Sequence, residues 1–141
     1  MFITKYDTFD RIFYCHFDDY RVTIIDSEKW ESLTDKKQAK YTKYEVTFSP
    51  LSWGAHSGMK AACFYVDPES NMRVFNYDMY NMKKLCMVVK RWNLTRKNAD
   101  GDVDKVDPTE EMVKKLHPLV AQYMLEQYEG EVELSGEAEK N

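Results

Sequence analysis

Three aspartates at alternate positions have the most suggestive chemical spacing in the chain. Asp100, Asp102 and Asp104 resemble the start of a calcium-binding loop, in which carboxylates alternate along the backbone. Such a loop needs glycine at its sixth position and a glutamate at its twelfth, and these places hold Lys105 and Glu111. Because a cation replaces the glycine, we interpret the stretch as a solvated turn without a metal.

The histidines give no better metal-binding pattern. His16, His56 and His117 lie far apart, whereas zinc ligands in short chains are usually paired two to five residues apart. Cys15 is adjacent to His16, but neighbouring residues of a strand point to opposite faces of a sheet. We therefore expect no metal site.

Sequence motifs for catalysis and cofactor binding are missing as well. The five glycines are never clustered, so neither a phosphate loop, a dinucleotide fingerprint nor a nucleophile elbow is present. The three cysteines are irregularly spaced, which does not suggest a disulfide framework and fits a reducing compartment. We predict a protein that is not an enzyme and that uses no cofactor.

Charge patterning disfavours nucleic acid and membranes as partners. Residues 129–141 contain five glutamates and one lysine, which accounts for the whole net charge of −4 and leaves residues 1–128 neutral. No apolar run reaches the roughly 20 residues of a membrane-spanning helix. One basic and aromatic stretch could line a nucleic-acid groove, although a solvated face explains it more simply: Lys36, Lys37, Lys40, Tyr41, Lys43 and Tyr44.

The N-terminal half is predicted to form an antiparallel sheet of about three strands. Residues 11–17 and 20–25 are rich in aromatic and β-branched side chains, and the turn-favouring pair Asp18-Asp19 separates them. Residues 44–48 alternate like a third strand. Both faces of the hairpin are apolar, so we expect one to meet helices and the other a partner or a further element. A short helix capped at Asp26 or Ser27 is predicted between the second and third strands.

Three or four helices are predicted to follow. Ser52 is a suitable cap for the first, and residues 76–92 show the strongest helical periodicity in the chain. Asp107 followed by Pro108 predicts the start of another helix. Pro118 should divide that segment, giving a short helix and a last one that extends to about Tyr128.

These elements define the predicted architecture. We expect an α+β fold with one domain over residues 1–128, since a single core is usual at this length. Residues 129–141 are acidic and lack aromatic side chains, which predicts a disordered tail.

Two groups of motifs resemble small tailed-bacteriophage proteins of the tail-assembly group. The first is Ser49-Pro50-Leu51-Ser52-Trp53-Gly54, which follows a strand and opens a helix. The second consists of Trp92-Asn93-Leu94-Thr95, Asp100-Gly101, Asp107-Pro108-Thr109-Glu110-Glu111, Leu116 and Pro118. The resemblance covers roughly residues 44–128. Ala55 replaces a commonly acidic residue, and Asp107-Pro108-Thr109 replaces a Thr-Pro pair.

The resemblance implies a non-enzymatic protein of the host cytoplasm that acts as a tail assembly chaperone. Its partners would be other phage proteins, with the tape measure protein as the expected client and the tail tube protein as a further partner. One alternative is a permanent component of the virion, such as a neck, tail or capsid-associated protein. Another is a phage-encoded inhibitor or nucleic-acid-binding regulator of the host.

Aromatic side chains dominate binding energy where a protein surface exposes them. We therefore predict that protein binding uses Trp53, Trp92, Tyr123 and Tyr128, although each would serve equally well in a core. The sequence alone does not separate these two roles.

Overall fold

The computed structural model describes residues 7–140 of the chain, with side chains described up to residue 132. In chain order, the elements are β1 (Phe9–Asp18), β2 (Arg21–Asp26), α1 (Ser27–Glu31), α2 (Asp35–Gln38), β3 (Thr42–Phe48), α3 (Trp53–Ala61), β4 (Phe64–Val66), β5 (Arg73–Phe75), α4 (Tyr77–Val88), β6 (Val89–Trp92), β7 (Thr95–Lys97), β8 (Val103–Lys105), α5 (Glu110–Lys114) and α6 (Pro118–Lys140).

An antiparallel sheet in the order β2-β1-β3-β6 confirms the predicted α+β class. The hairpin of β1 and β2 and the third strand are present as expected, and four helices, α3 to α6, follow β3 in the chain. The fourth strand, β6, was not predicted.

The main core lies between one face of this sheet and the helices α4, α5 and α6. Alternate residues of β1, such as Phe13 and Cys15, point into it together with Val46 and Phe48 of β3. The buried members of the core are Phe13, Cys15, Val46, Phe48, Leu85, Val88, Val89, Val113, Val120, Met124, Leu125 and Tyr128. This arrangement fixes α6 across the sheet.

Helix α1 covers part of the opposite face of the hairpin, while Ile12 on that face stays 41% exposed. Trp30 stacks on Tyr14 with ring centroids 4.4 Å apart and planes nearly parallel. Asp26 caps this helix by accepting the Lys29 N–H, as predicted. Of the two expectations for this face, a further element of the chain is the one found.

The turn of the first hairpin is displaced by one residue from the prediction. Asp18 pairs with Arg21, so the two linking residues are Asp19 and Tyr20 rather than Asp18 and Asp19. Asp19 has φ of 45°, and aspartate is one of the few residues other than glycine that tolerate this left-handed region.

The predicted helix over residues 76–92 is wrong at its end. Helix α4 begins after its cap Asn76 and ends at Val88, and Val89–Trp92 forms β6 against β3. β-Branched Val88 and Val89 favour the switch, and β3 offers an open edge that hydrogen-bonds the extended segment. Helical spacing of Val89 and Trp92 does not reveal that edge.

Two small hairpins, β4–β5 and β7–β8, were also not predicted. Their strands are three residues long, too short for alternation to stand out. The expected loop at Asp67-Pro68 connects the first pair, and the polar turn around Gly101, with φ of 84°, connects the second.

The cap of α5 is Thr109, not Asp107. The Thr109 hydroxyl accepts the Met112 N–H at 3.3 Å, and its backbone is extended as a cap requires. Asp107 and Thr109 are both residue types that cap helices. Asp107 was predicted as the cap because proline, here Pro108, is favoured at the first position of a helix. The break before Pro118 is found as predicted.

Helix α6 continues beyond Tyr128 to Lys140. Glu129 and Glu131 form ion pairs with Lys84 and Arg11. The boundary at residue 128 and the disorder of the remaining acidic residues stay predictions, because side chains 133–141 lie outside those the structure describes.

Candidate functional site

The residues considered for metal binding do not converge. Asp100 and Asp102 lie in the β7–β8 turn, where their backbone N–H groups donate to the Asn98 side chain at 3.0 Å. Asn98 thus stabilises a turn. Over residues 7–132, no group of three His, Cys, Asp or Glu side chains is arranged to hold a metal ion.

The cysteines are placed as packing residues rather than nucleophiles. Cys15 is fully buried, and burial raises the pKa of its thiol to about 12. Burial, followed by the nearby Glu110 carboxylate, also raises the pKa of Cys86. Both thiols are protonated at neutral pH and are weak nucleophiles.

Three of the four aromatic residues predicted for binding are part of the core or packed against it. Tyr128 is only 4% exposed, and Tyr123 packs on Phe13 with ring centroids 4.9 Å apart. Trp92 is half-buried and donates its indole N–H to the Val106 carbonyl. Their role in binding stays a prediction.

Trp53 differs from these three, since it is 85% exposed at the first position of α3. The structure brings Trp53 and Tyr128 together at one cavity of about 460 Å³, while Trp92 and Tyr123 lie elsewhere. The lining of this cavity combines four apolar or aromatic side chains with four polar ones: Leu51, Trp53, Tyr128, Val132, His56, Tyr80, Lys84 and Glu129.

Three helices place these side chains. Trp53 and His56 belong to the first turns of α3, which Ser52 caps by accepting the Ala55 N–H at 3.2 Å. Four-residue spacing puts Tyr80 above Lys84 on one face of α4. Helix α6 supplies the third wall, and its Tyr128 hydroxyl accepts the Leu51 N–H at 3.2 Å, which fixes the entry to α3.

The polar groups of the cavity form one directed chain of hydrogen bonds. Lys84 donates to Glu129 at 2.9 Å and to the Tyr80 hydroxyl at 3.4 Å, because an ammonium group only donates. Tyr80 then has one O–H to give, and its oxygen lies 2.9 Å from His56 Nε2. When His56 is neutral with its proton on Nδ1, Nε2 accepts this O–H.

The electrostatics of the cavity favour the neutral form of His56. Burial, followed by the positive charges of Lys84 and Lys60, lowers the pKa of His56. Burial alone would lower the pKa of Lys84, but the hydrogen bond and charge of Glu129 outweigh it and the pKa is raised. The cavity thus holds a neutral imidazole beside a matched ion pair.

Aromatic rings extend from this cavity to the β4–β5 hairpin. Phe75 is central, with ring centroids 5.0 Å from Phe64, 4.7 Å from Tyr77 and 5.3 Å from Tyr80. The guanidinium of Arg73 lies 4.2 Å above the Phe64 ring. A continuous aromatic surface therefore joins the hairpin to the cavity.

Residues 53–84, which we call the excursion, leave the sheet after β3 and stay outside the main core. None of them belongs to the core cluster of the described residues, and only Met59 and Cys63 are buried. Yet eight of the fifteen large apolar side chains exposed in the described part of the chain lie here: Trp53, Phe64, Tyr65, Val66, Met72, Tyr77, Met79 and Met82. The excursion therefore concentrates the exposed apolar surface.

The sequence predicted Trp53 and Tyr128 as binding residues but not the hydrogen bonds that join His56, Tyr80, Lys84 and Glu129 in the same cavity. Tyr80 and Lys84 share a helix face that the periodicity of α4 does predict. Their joining to Glu129, 45 residues away from Lys84, depends on how α6 crosses α4 and leaves no local signal.

Comparison with known proteins adds no relative. The chain matches no protein-family model, no curated protein and no solved structure.

Among the described residues, every helix is too short or too polar to serve as a membrane span.

Proposed function

We propose that this chain is a non-enzymatic protein that binds another protein through the excursion. The observation that carries the proposal is the concentration of exposed apolar side chains in residues 53–84. Soluble monomers rarely keep large contiguous apolar surface open, and such surface typically marks a protein interface.

The chemistry of this surface suits reversible binding of an apolar partner. Met72, Met79 and Met82 have flexible, polarisable side chains that adapt to different shapes. The aromatic rings of the hairpin supply large apolar area at small entropic cost, and Arg73 adds an exposed charge at their side. A partner helix with an apolar face fits this combination.

The polar chain of the cavity supports binding rather than bond making. Lys84 and Glu129 are engaged with each other, and the Tyr80 hydroxyl lies between Lys84 and His56. These bonds link α3, α4 and α6 at the cavity that Trp53 lines. They give the surface a rigid base, which reduces the entropy lost on binding.

The resemblance of residues 44–128 to tail-assembly proteins supports a more specific role. We propose that the chain acts in bacteriophage tail assembly in the host cytoplasm, with the tape measure protein as client. Long apolar helices of a client need cover until other subunits assemble around them, and a surface of aromatic and methionine side chains provides such cover.

Co-expression tests the proposal. The chain is produced together with the tape measure protein of a tailed bacteriophage whose genome encodes this sequence, and the soluble fraction of that client is measured. We expect the wild-type chain to raise that fraction severalfold and to copurify with the client. A client that stays insoluble, or that is equally soluble alone, contradicts the proposal.

A matched pair of valines locates the surface. Val66 lies in β4 and Val103 in β8, and each of these strands is three residues long. The two valines are 59% and 62% exposed. Val66→Asp should lower the yield of copurified client at least threefold, since it desolvates a charge in the interface. Val103→Asp should leave the yield unchanged, and equal effects of the two variants would place binding elsewhere.

A further inference from the structure

We infer that the cavity beside Trp53 receives the side chain of a tyrosine from the bound partner. This inference rests on the proposed function and identifies the chemistry of one contact within it. The cavity volume of about 460 Å³ lies within the range of sites that hold small organic groups.

Charge balance favours a neutral group in the cavity. The Lys84 ammonium and the Glu129 carboxylate are 2.9 Å apart and offset one another, and the lowered pKa of His56 favours its neutral form. An anionic ligand near Lys84 also meets the negative charge of Glu129, and a cationic ligand near Glu129 also meets the positive charge of Lys84. Either ligand therefore brings like charges together.

The polar groups also favour a ligand that both donates and accepts. Lys84 gives one N–H to Glu129 and one to Tyr80, and its ammonium has a third. Glu129 receives Lys84 through Oε1, and its carboxylate has a second oxygen. A phenol satisfies both partners, because its oxygen accepts from Lys84 while its O–H donates to Glu129.

The remaining walls suit an aromatic ring. Trp53 is 85% exposed, and the Tyr128 ring lies beneath Lys84, whose Nζ is 5.8 Å from the ring centroid. An inserted ring covers the exposed indole of Trp53 and gains an aromatic contact with it. Phenylalanine would fill the same space but leave both polar partners without a new bond.

Small probes test this inference without the partner. N-acetyl-tyrosinamide, N-acetyl-phenylalaninamide and benzoate are titrated separately into the ¹⁵N-labelled chain, and the three indole N–H signals are followed by NMR. Indole N–H groups of Trp30 and Trp92 donate to the carbonyls of Gln38 and Val106, so they serve as internal references. We expect the tyrosine probe to shift the Trp53 signal and to bind about three- to tenfold more tightly than the phenylalanine probe.

Three results would overturn the inference: no shift of the Trp53 signal, equal affinity for the tyrosine and phenylalanine probes, or tighter binding of benzoate. If any of these occurs while the client is still solubilised, the tyrosine contact is wrong and the proposed function stands. If the chain binds the tyrosine probe selectively but does not bind the client, the proposed function is wrong and the preference of the cavity for a phenol stands.

Paired substitutions separate the polar contact from folding. Lys84→Met with Glu129→Met removes both charges together, which avoids leaving one of them unpaired. This variant should bind both amide probes equally. Lys114→Met with Glu110→Met removes an exposed ion pair of 2.8 Å on α5, and it should keep the preference for the tyrosine probe. A preference that survives the first pair of substitutions contradicts the inference.

Discussion

Protonation of His56 changes the hydrogen bond that it forms with Tyr80. Protonation places a second N–H donor against a hydroxyl that already receives Lys84, so the O–H of Tyr80 loses its acceptor. The imidazolium would also face the positive charges of Lys84 and Lys60, with Glu129 as the nearest compensating carboxylate of the chain of hydrogen bonds. Acidification should therefore loosen the contact between α3 and α4.

The sign of the pH effect follows from linkage. The pKa of His56 is lowered in the folded state from its ordinary value of 6.5, so the unfolded chain binds more protons at mildly acidic pH. The stabilisation is complete above pH 6.5 and is lost as the pH falls through the folded pKa. We expect the free energy of unfolding to decrease more steeply below pH 6.5 in the wild type than in His56→Gln, as measured by urea denaturation. Parallel curves for the two proteins would show that His56 does not titrate in this way.

Among the elements, α5 offers the clearest test of a local assignment. Thr109→Ala should lower the free energy of unfolding by about 1 kcal/mol, because it removes the acceptor of the Met112 N–H. Asp107→Ala should change it by less than about 0.5 kcal/mol, since exposed positions away from caps contribute little. Thermal or urea denaturation measures both. A larger loss for Asp107→Ala would mean that the helix begins at the position predicted from sequence.

The elements also show where sequence patterns suffice and where they fail. Strand β3 and the caps Asp26 and Ser52 were predictable, because alternation and capping are local properties. The helix-to-strand switch at Val89 was not, since it depends on the open edge of β3 more than 40 residues earlier. Tertiary pairing overrides local periodicity at such a position.

The same distinction applies to the candidate site. Trp53 was predicted as a binding residue from its type alone, and its exposure agrees with an open surface, although the binding itself is untested. Tyr123 shows the limit of that reasoning, because an equally good candidate by type packs on Phe13. The ion pair of Lys84 and Glu129 joins two helices whose crossing no local pattern specifies.

At the scale of the whole molecule, the buried core and most of the exposed apolar surface lie in different parts of the chain. The sheet, the end of α4, α5 and α6 bury the main core, while the excursion carries over half of the large exposed apolar side chains of the described residues. Substitutions at exposed positions of the excursion should therefore alter binding while leaving the fold intact. This separation is what a protein needs if it must fold before it binds.

Hydrogen exchange of the chain with and without its proposed client, the tape measure protein, tests this division most directly. Amides of residues 53–84 should exchange more slowly in the complex, with the largest change in the β4–β5 hairpin and the first turn of α3, because bound apolar surface excludes water and suppresses local opening. Amides of the β7–β8 hairpin should exchange at the same rate in both samples. Protection confined to β7–β8 or to the open edge of β2, with residues 53–84 unchanged, would contradict binding through the excursion.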